Sequence, residues 1–309
     1  MTGSILITGA GGFLGTPLVH RLGEEGRRTL ALGRGLEPAA QGSVRRIAGG
    51  VGDAADLRRL LDEEAVTAVV HLSAHPDAPL AQARRIFEAN LGGTLRVLSA
   101  AREARRPPHV VLASSIKVYG RAAEMPLRES TPEAPTSAYA VAKAAADRIG
   151  LLFHEQAGVP VTVLRLSQVY GPGQPPGMLV QQLVEAARSG KTLDMTSGEQ
   201  TRDLLFVDDA VDAFVRALDR PERAGRVLNV GTGVETRLCD LAQRFHELVP
   251  SAPRPRIGAI PYRDGELWRQ VVDPATARTE LGFTARVALD EGLRRTLEAA
   301  LRTEAPGDG

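Results

Sequence analysis

The chain has 309 residues, and its 38 basic and 37 acidic side chains give a formal net charge of +1. Acids and bases are mixed along the whole length, which argues against a nucleic-acid partner or a polybasic membrane anchor. The single cysteine, Cys239, excludes an intrachain disulfide, and no apolar run is long enough to span a bilayer. Since the sequence does not begin with a recognisable signal peptide, we expect a cytoplasmic protein.

Short apolar runs alternate with helical patterns through the first half of the chain. We predict strands at residues 5–7, 29–32, 44–48, 68–72, 110–113 and 161–166. Helices are predicted at residues 17–24 and 55–63, in stretches of 80–103, and around Tyr139. Because strands that alternate with helices build parallel βαβ units, we predict an α/β fold with a doubly wound parallel sheet.

The alternation ends after Arg165. Residues 171–177 predict turns, 204–207 and 227–230 predict strands that return to the sheet, and 250–261 predict an irregular surface segment. We therefore predict a dinucleotide-binding domain at residues 1–166 and 203–233. A smaller C-terminal substrate-binding domain is predicted at residues 167–202 and 234–309, and its last five residues predict a frayed tail.

Three glycines, Gly9, Gly12 and Gly15, lie between the first predicted strand and the first predicted helix. Without side chains, they let the backbone approach a pyrophosphate, and the helix N-terminus offers free N–H groups. The spacing is G-x-x-G-x-x-G rather than G-x-G-x-x-G, yet the strand–turn–helix context matches that of the dinucleotide fingerprint. We predict that this loop holds a nicotinamide cofactor.

The end of the second predicted strand bears on which nicotinamide cofactor is bound. Sites that prefer NAD usually place an acid there for the ribose 2′-hydroxyl. This chain has Gly33 at that position, and Arg34 could pair with a 2′-phosphate. NADP(H) is therefore favoured, and NAD(H) remains possible because Arg34 could equally be a surface arginine.

Acid–base chemistry is indicated by Ser114 and Ser115, followed by Tyr139 and Lys143. A tyrosine four residues before a lysine lies on the same helix face, where the ammonium can lower the pKa of the phenol. Of the 38 basic residues, three are lysines and 35 are arginines, so Lys143 departs from the chain's habit. A compact ammonium suits a place beside a phenol and a ribose better than a guanidinium does.

Further motifs occur in order along about the whole chain. They are Gly52-Asp53, His71-Leu-Ser-Ala74, Asn90, Val118-Tyr-Gly120, Arg165, Tyr170-Gly-Pro-Gly173, Thr201-Arg-Asp203, Val207-Asp-Asp209, Asn229-Val-Gly-Thr-Gly233 and Arg263-x-Gly-Glu266. With the glycine loop and the Tyr139–Lys143 pair, they resemble the extended short-chain dehydrogenase/reductases, specifically the NAD-dependent epimerase/dehydratase group acting on nucleotide sugars. The resemblance implies a Rossmann fold, a nucleotide-sugar substrate and, as an expectation, a homodimer.

The resemblance also implies roles for residues at matching positions. Ser115 holds the sugar oxygen, Tyr139 is the general acid/base, and Lys143 binds the nicotinamide ribose. The predicted cofactor-binding residues are Gly9, Gly12, Phe13, Leu14, Gly15, Arg34, Asp53, Leu72, Ser73, Ala74, Asn90, Ser114, Tyr139, Lys143 and Leu166. The predicted substrate-binding residues are Ser115, Lys117, Gln168, Arg202 and Arg263, where the two arginines grip the nucleotide diphosphate. The spacing of the histidines predicts no metal site.

The chain departs from the family pattern at several positions, and these departures bear on which reaction it catalyses. Sugar 4,6-dehydratases carry an Asp-Glu pair after the catalytic hydroxyl, whereas this chain has Ile116 and Lys117. Lys117 meets either a substrate anion or carbonyl, or it is an exposed lysine at a strand end. Gln168 replaces the asparagine that many relatives have, so its contacts to the diphosphate differ.

Three functions remain open. An NADPH-dependent 4-ketoreductase of a nucleotide-linked keto sugar is favoured by Gly33 and Arg34. A nucleotide-sugar 4-epimerase with retained NAD uses the same three catalytic residues, because Tyr139 can act as base or as acid. A non-catalytic nucleotide sensor on the same fold is the third alternative. It is the remote one, because a sensor would not need the proton donor that the intact set of Ser115, Tyr139 and Lys143 provides.

Overall fold

The structure is a computed structural model that describes residues 3–302, so the tail expected at residues 305–309 lies outside the described range. Within that range the strands are β1 Ser4–Thr8, β2 Thr29–Gly33, β3 Ala39–Gln41, β4 Val44–Ala48, β5 Val66–His71, β6 His109–Ser115, β7 Val161–Leu166, β8 Gln168–Tyr170, β9 Asp194–Met195, β10 Thr201–Arg202, β11 Leu204–Phe206, β12 Arg226–Val230, β13 Thr236–Arg237, β14 Arg256–Ile257 and β15 Arg269–Gln270. The α-helices are α1 Gly15–Glu24, α2 Ala54–Glu63, α3 Ala83–Phe87, α4 Gly93–Glu103, α5 Ala138–Ala157, α6 Leu179–Ser189, α7 Val207–Leu218, α8 Leu238–Leu248, α9 Ala275–Leu281 and α10 Leu289–Arg302.

The main sheet confirms the predicted α/β class. Its strand order is β12-β7-β6-β5-β1-β2-β4-β3, and the pairs are parallel except for β3 against β4. Strands β1, β2 and β7 are buried along their whole length, as expected where helices cover both faces of a parallel sheet. Two apolar clusters lie on the two sides of this sheet.

The strand order places a ligand crevice at the end of β1. From β1 the chain runs outward through β2 and β4, and it then returns to β5 on the other side of β1. In open α/β sheets, ligands bind outside the carboxyl ends of the strands where the order reverses in this way. The carboxyl ends of β1, β5 and β6 therefore set the position of a site.

One predicted strand is not in the main sheet. The prediction that residues 204–207 return to this sheet is wrong, because β11 pairs with β8 in a separate two-stranded sheet. Its Phe206 packs edge-on against Tyr170, with ring centroids 5.5 Å apart, in a third apolar cluster formed with α6, α8 and α10. Apolar patterning alone cannot distinguish these two destinations. The prediction for residues 227–230 is confirmed, because β12 pairs with β7 at the edge of the main sheet.

The smaller part of the molecule contains α6, α8 and α10, a three-stranded sheet of order β13-β10-β15, and the pair β9–β14. The short strand β14 interrupts the segment predicted to be irregular. The predicted domain limits stay a prediction. Within residues 3–302, none of the helices has the length and apolar character needed to cross a membrane.

Candidate active site

The glycine loop forms a tight turn from β1 into α1. Gly9 has φ +74°, and a Cβ atom there would lie 2.7 Å from the amide nitrogen of Ser73. A Cβ on Gly15 would lie 2.2 Å from the carbonyl oxygen of Gly9, so larger residues cannot enter this turn. The residue that caps α1, Leu14, offers no side-chain hydrogen bond to the first helical N–H groups. A turn with these properties fits the pyrophosphate of a dinucleotide.

A cavity of about 250 Å³ opens beside this turn. It is lined by Thr8, Gly9, Gly11, Gly12, Leu32, Gly33, Arg34, Gly49, Gly50, Val51, Leu72, Ser73 and Ala74. Six of the predicted cofactor-binding residues are thus brought together at the ends of β1, β2 and β5. The bare glycine backbone and the apolar Leu32 and Val51 in this lining fit the adenosine half of a dinucleotide.

Other predicted cofactor residues do not line this cavity. Asp53 uses Oδ1 to accept hydrogen bonds from two N–H groups at the start of α2. Asn90, on a π-helical turn between α3 and α4, is buried and holds the backbone of His75 through both its amide nitrogen and its oxygen. Leu166 lies in the apolar core. Phe13 lines a separate groove, and Leu14 packs beside two core clusters.

Gly33 has a steric explanation that the sequence did not reveal. A Cβ atom at Gly33 would lie 2.9 Å from the amide nitrogen of Gly11 and 3.0 Å from a methyl carbon of Leu36. The close approach of β2 to the glycine loop therefore accounts for this glycine. The absence of an acid at this position is therefore not evidence for NADP. The exposed Arg34 is the remaining argument for an NADP preference.

The three predicted catalytic residues meet where β6 ends and α5 begins. Ser115 is the last residue of β6, and Tyr139 lies in the first turn of α5, whose N-terminus is capped by the Ser137 hydroxyl. Lys143 lies one turn further on and is 6% exposed. Its Nζ lies 5.9 Å from the centre of the Tyr139 ring and donates a 2.7 Å hydrogen bond to the Ala113 carbonyl.

The expected lowering of the Tyr139 pKa is not found in this structure. Burial and the charge of Asp77 raise the pKa of Tyr139 to about 12, although hydrogen bonding to Ser115 partly opposes the rise. Burial also lowers the pKa of Lys143 to about 8, although the charge of Asp147 opposes that shift. The prediction was wrong because it considered the attraction between the two groups and left out the cost of burying a phenolate.

Lys117 also lies close to the Tyr139 ring. Its Nζ is 5.8 Å from the centre of the Tyr139 ring and donates a 2.8 Å hydrogen bond to Oδ2 of Asp77. Asp77 belongs to residues 72–79, which form neither helix nor strand in the structure. Because such a segment has no periodic pattern, nothing in the sequence indicated a role for Asp77.

A buried charge network joins the catalytic helix α5 to β7 through Arg165. Nε of Arg165 donates a 2.9 Å hydrogen bond to Asp147, its guanidinium also pairs with Glu133, and it stacks on Tyr119 at 4.9 Å. Asp147 is four residues after Lys143, so the same helix spacing that relates Tyr139 to Lys143 could have revealed it. Burial raises the pKa of Asp147, and the charge of Arg165 and the buried Ser114 oppose that rise.

A second cavity, of about 570 Å³, reaches the catalytic helix at Ser137 and Ala140. Four of the five predicted substrate residues line it, namely Lys117, Gln168, Arg202 and Arg263, whereas Ser115 does not. The guanidinium of Arg202 is already engaged, because it pairs with Glu266 at 2.6 Å and donates to two carbonyls. Arg263 and Arg121 also line this cavity, and neither has an acidic partner among residues 3–302. The sequence did not single out Arg121.

Histidines and carboxylates do not form a metal centre in the described range. No group of three His, Cys, Asp or Glu side chains within residues 3–302 could hold a metal ion.

Comparison with known proteins agrees with this geometry. Residues 5–231 match the family model described as the NAD dependent epimerase/dehydratase family. The chain is 34% identical over 310 residues to the UDP-glucose 4-epimerase of Mycolicibacterium smegmatis, which covers 95% of this chain and 97% of the relative. It is 32% identical over 311 residues to the dTDP-glucose 4,6-dehydratase of Streptomyces niveus, covering 95% and 91%.

Among solved structures, the chain is similar to MoeE5 in complex with UDP-glucuronic acid and NAD. The TM-score is 0.88 at 34% identity, and the match covers 97% of this chain and 100% of MoeE5. A second complex of MoeE5 holds UDP-glucose and NAD. The chain is therefore an enzyme of the extended short-chain dehydrogenase/reductase type, and it belongs to the NAD dependent epimerase/dehydratase family.

Proposed function

We propose that the protein is an NAD-dependent 4-epimerase of a nucleotide-linked hexose. The observation that carries this proposal is the meeting of Ser115, Tyr139 and Lys143 at the end of β6, two strands away from the glycine turn after β1, with no acid at the two positions after Ser115. Ile116 is buried with 2% exposure, and Lys117 bears the opposite charge to the glutamate of a dehydratase. This set can move a proton and orient a hydroxyl, whereas elimination of water needs a further acid.

Each catalytic side chain has a task in this reaction. Tyr139 takes the proton of the sugar 4-hydroxyl while the C4 hydrogen leaves as a hydride, and it returns the proton when the hydride comes back to the opposite face. Ser115 holds the reacting oxygen by hydrogen bonding, and Lys143 supplies an ammonium 5.9 Å from the phenol ring. Bound NAD would supply the hydride acceptor and, in its oxidised form, a positive charge that favours the Tyr139 phenolate.

The relatives support the epimerase over the reductase. The curated relative that is 34% identical over nearly the whole chain is a UDP-glucose 4-epimerase, and MoeE5 binds NAD together with a UDP-sugar. The steric reason for Gly33 removes one of the two arguments for NADP. We therefore place NAD before NADP as the cofactor.

A 4-ketoreductase that uses NADPH is the second candidate. Arg34 favours it, because its exposed side chain lines the cavity expected for adenosine and could pair with a 2′-phosphate. A reductase exchanges its cofactor at every turnover, whereas an epimerase regenerates its cofactor and can retain it.

Cofactor retention separates the two candidates. Freshly purified protein is denatured, any released nucleotide is identified, and cofactor-free protein is titrated with NADH and NADPH. The epimerase proposal predicts bound NAD in near-stoichiometric amount and tighter binding of NADH. Empty protein that prefers NADPH would make the reductase the better proposal.

Replacing Tyr139 tests the catalytic assignment. Tyr139→Phe removes the proton carrier, and we expect kcat for 4-epimerisation to fall by about 10²–10⁴-fold while NAD binding is kept. Tyr262→Phe is the matched control, since the Tyr262 hydroxyl accepts a hydrogen bond from the backbone of Glu199 and does not line the second cavity. Equal turnover by Tyr139→Phe and its control would contradict the assignment.

A further inference from the structure

Two of the chain's three lysines lie close to the ring of Tyr139. Nζ of Lys143 is 5.9 Å from the ring centre and Nζ of Lys117 is 5.8 Å from it. Everywhere else except at the exposed Lys191, this chain uses arginine as its basic residue. The catalytic assignment accounts for Lys143 and leaves Lys117 without a task.

The acidic partner of Lys117 can be exchanged at low cost. Asp77 places its carboxylate 2.8 Å from Nζ of Lys117, and both side chains line the second cavity. The two side chains are 38% and 32% exposed, so water screens their attraction. Ion pairs with such exposure contribute little to stability. A carboxylate on a bound ligand can therefore replace that of Asp77.

Four basic and four acidic side chains line the second cavity, and among the acids Asp264 has no basic partner within residues 3–302. Arg263 and Arg121 lack acidic partners among residues 3–302 and are available to a diphosphate, which carries two negative charges. Asp194 pairs with Arg256, and Glu266 pairs with Arg202. Lys117 is the remaining lining cation in the described part of the chain, and it is the one beside Tyr139, where the sugar must bind for proton transfer.

We propose that Lys117 selects an acidic sugar, binding the carboxylate of a nucleotide-linked hexuronic acid in place of Asp77. This inference rests on the proposed function, because it assumes that Tyr139 faces the sugar. A carboxylate forms a charge-assisted hydrogen bond with the ammonium, which is about twice as strong as a bond to a neutral hydroxyl. A neutral hydroxymethyl group cannot compete for Lys117 in this way, so the pair with Asp77 persists and contributes little selectivity.

Binding to a catalytically silent protein tests the inference without depending on turnover. In the Tyr139→Phe background, the dissociation constants of UDP-glucuronic acid and UDP-glucose are measured by calorimetry with NAD present. We expect the acidic sugar to bind at least about tenfold more tightly, a difference of about 1.4 kcal/mol. Adding Lys117→Met should abolish this preference while the affinity for UDP-glucose changes less than about threefold.

Two further variants sharpen the result. Lys191→Met removes the exposed third lysine and should leave both affinities unchanged, which controls for overall charge. Asp77→Asn removes the competing carboxylate, so the acidic sugar should bind as tightly as before or more tightly.

Equal binding of the two sugars, or an equal loss for both in Lys117→Met, would overturn the proposal, as would weaker binding of the acidic sugar to Asp77→Asn. Failure of the proposed function would give another result, because protein with Tyr139 intact would then epimerise neither sugar. The dependence of sugar binding on Lys117 is measured in a separate experiment and does not rely on turnover.

Discussion

The buried imidazole of His71, whose pKa the catalytic Lys143 helps to lower, makes the stability of the fold depend on pH. It is buried at the end of β5, where Nδ1 lies 2.7 Å from the hydroxyl of Thr8, and burial together with the charge of Lys143 lowers its pKa to about 3. In the unfolded chain, the pKa of histidine is about 6.5. Between those two values the unfolded chain binds more protons than the folded chain, so the free energy of unfolding falls as the pH falls through this window.

A pH series of denaturation measurements tests this linkage. We expect His71 to account for a loss of about 2 kcal/mol in the free energy of unfolding between pH 6.5 and pH 5. His71→Gln should reduce the slope of the free energy of unfolding against pH by the equivalent of about one bound proton in this range, because glutamine does not titrate. His20→Gln serves as the control, since His20 is exposed on α1. A slope that His71→Gln leaves unchanged would refute the linkage.

At the scale of elements, Asp203 joins the end of the main sheet to the smaller part of the molecule. Its buried carboxylate accepts hydrogen bonds from the backbone N–H groups of Thr232, Gly233 and Val272 and from the hydroxyls of Thr232 and Ser167. The segments after β7, β12 and β15 therefore meet at one side chain. Both carboxylate oxygens of Asp203 must accept hydrogen bonds, whereas the side-chain amide of an asparagine has only one oxygen that can accept them.

Asp203→Asn should therefore be strongly destabilising. We expect the free energy of unfolding to fall by about 2–4 kcal/mol, because the amide NH₂ faces N–H donors that lose their partner. Urea denaturation measures the change, and Asp208→Asn on α7 provides a control in which an exposed ion pair with Arg295 is lost. If the two variants lost equal stability, Asp203 would not be the joint that its contacts indicate.

Local spacing was enough to predict several elements of the site. The four-residue interval between Tyr139 and Lys143 and the glycines between strand and helix are contiguous patterns, and the structure brings those residues to the ends of β1 and β6. Two features depended on distant segments and were not predictable. The carboxylate of Asp77 comes from a segment without periodicity, and Arg202 is engaged by Glu266, which is 64 residues away.

At the scale of the whole molecule, α5 presents to solvent a stripe that has exposed apolar side chains at its two ends and Arg148 between them. Val141 and Leu152 are 40% and 45% exposed, and their separation of 11 residues places them on one face, about three turns apart. The resemblance to the family predicts a homodimer, and this stripe is where we expect a second copy to pack.

Leu152→Arg tests that expectation. Light scattering should give twice the 32.9 kDa chain mass for the wild type and a shift toward the monomer for the variant, because a buried charge has no partner there. Leu301→Arg, at an exposed leucine of α10, should leave the dimer intact. A wild-type protein that is monomeric at micromolar concentration would contradict the prediction.

The fold was predictable to a greater extent than the electrostatics of the site. The parallel order of the main sheet follows from alternating apolar strands and helices, and the chain's membership of the family fits that pattern. The raised pKa of Tyr139 and the lowered pKa of Lys143 were not predictable, since both depend on how deeply the folded protein buries them. The separate pairing of β11 with β8 likewise depends on tertiary packing around Phe206.

The most direct test of the central claim follows a deuterium atom at C4 of a UDP-hexose. The labelled UDP-sugar, either UDP-glucose or UDP-glucuronic acid, is incubated with the purified protein, and the product is analysed by mass spectrometry and NMR. A 4-epimerase returns the same hydride, so we predict the C4 epimer with deuterium retained at C4 and no net change in cofactor. Absence of the epimer, or turnover that consumes NADPH stoichiometrically with a keto sugar, would contradict the account.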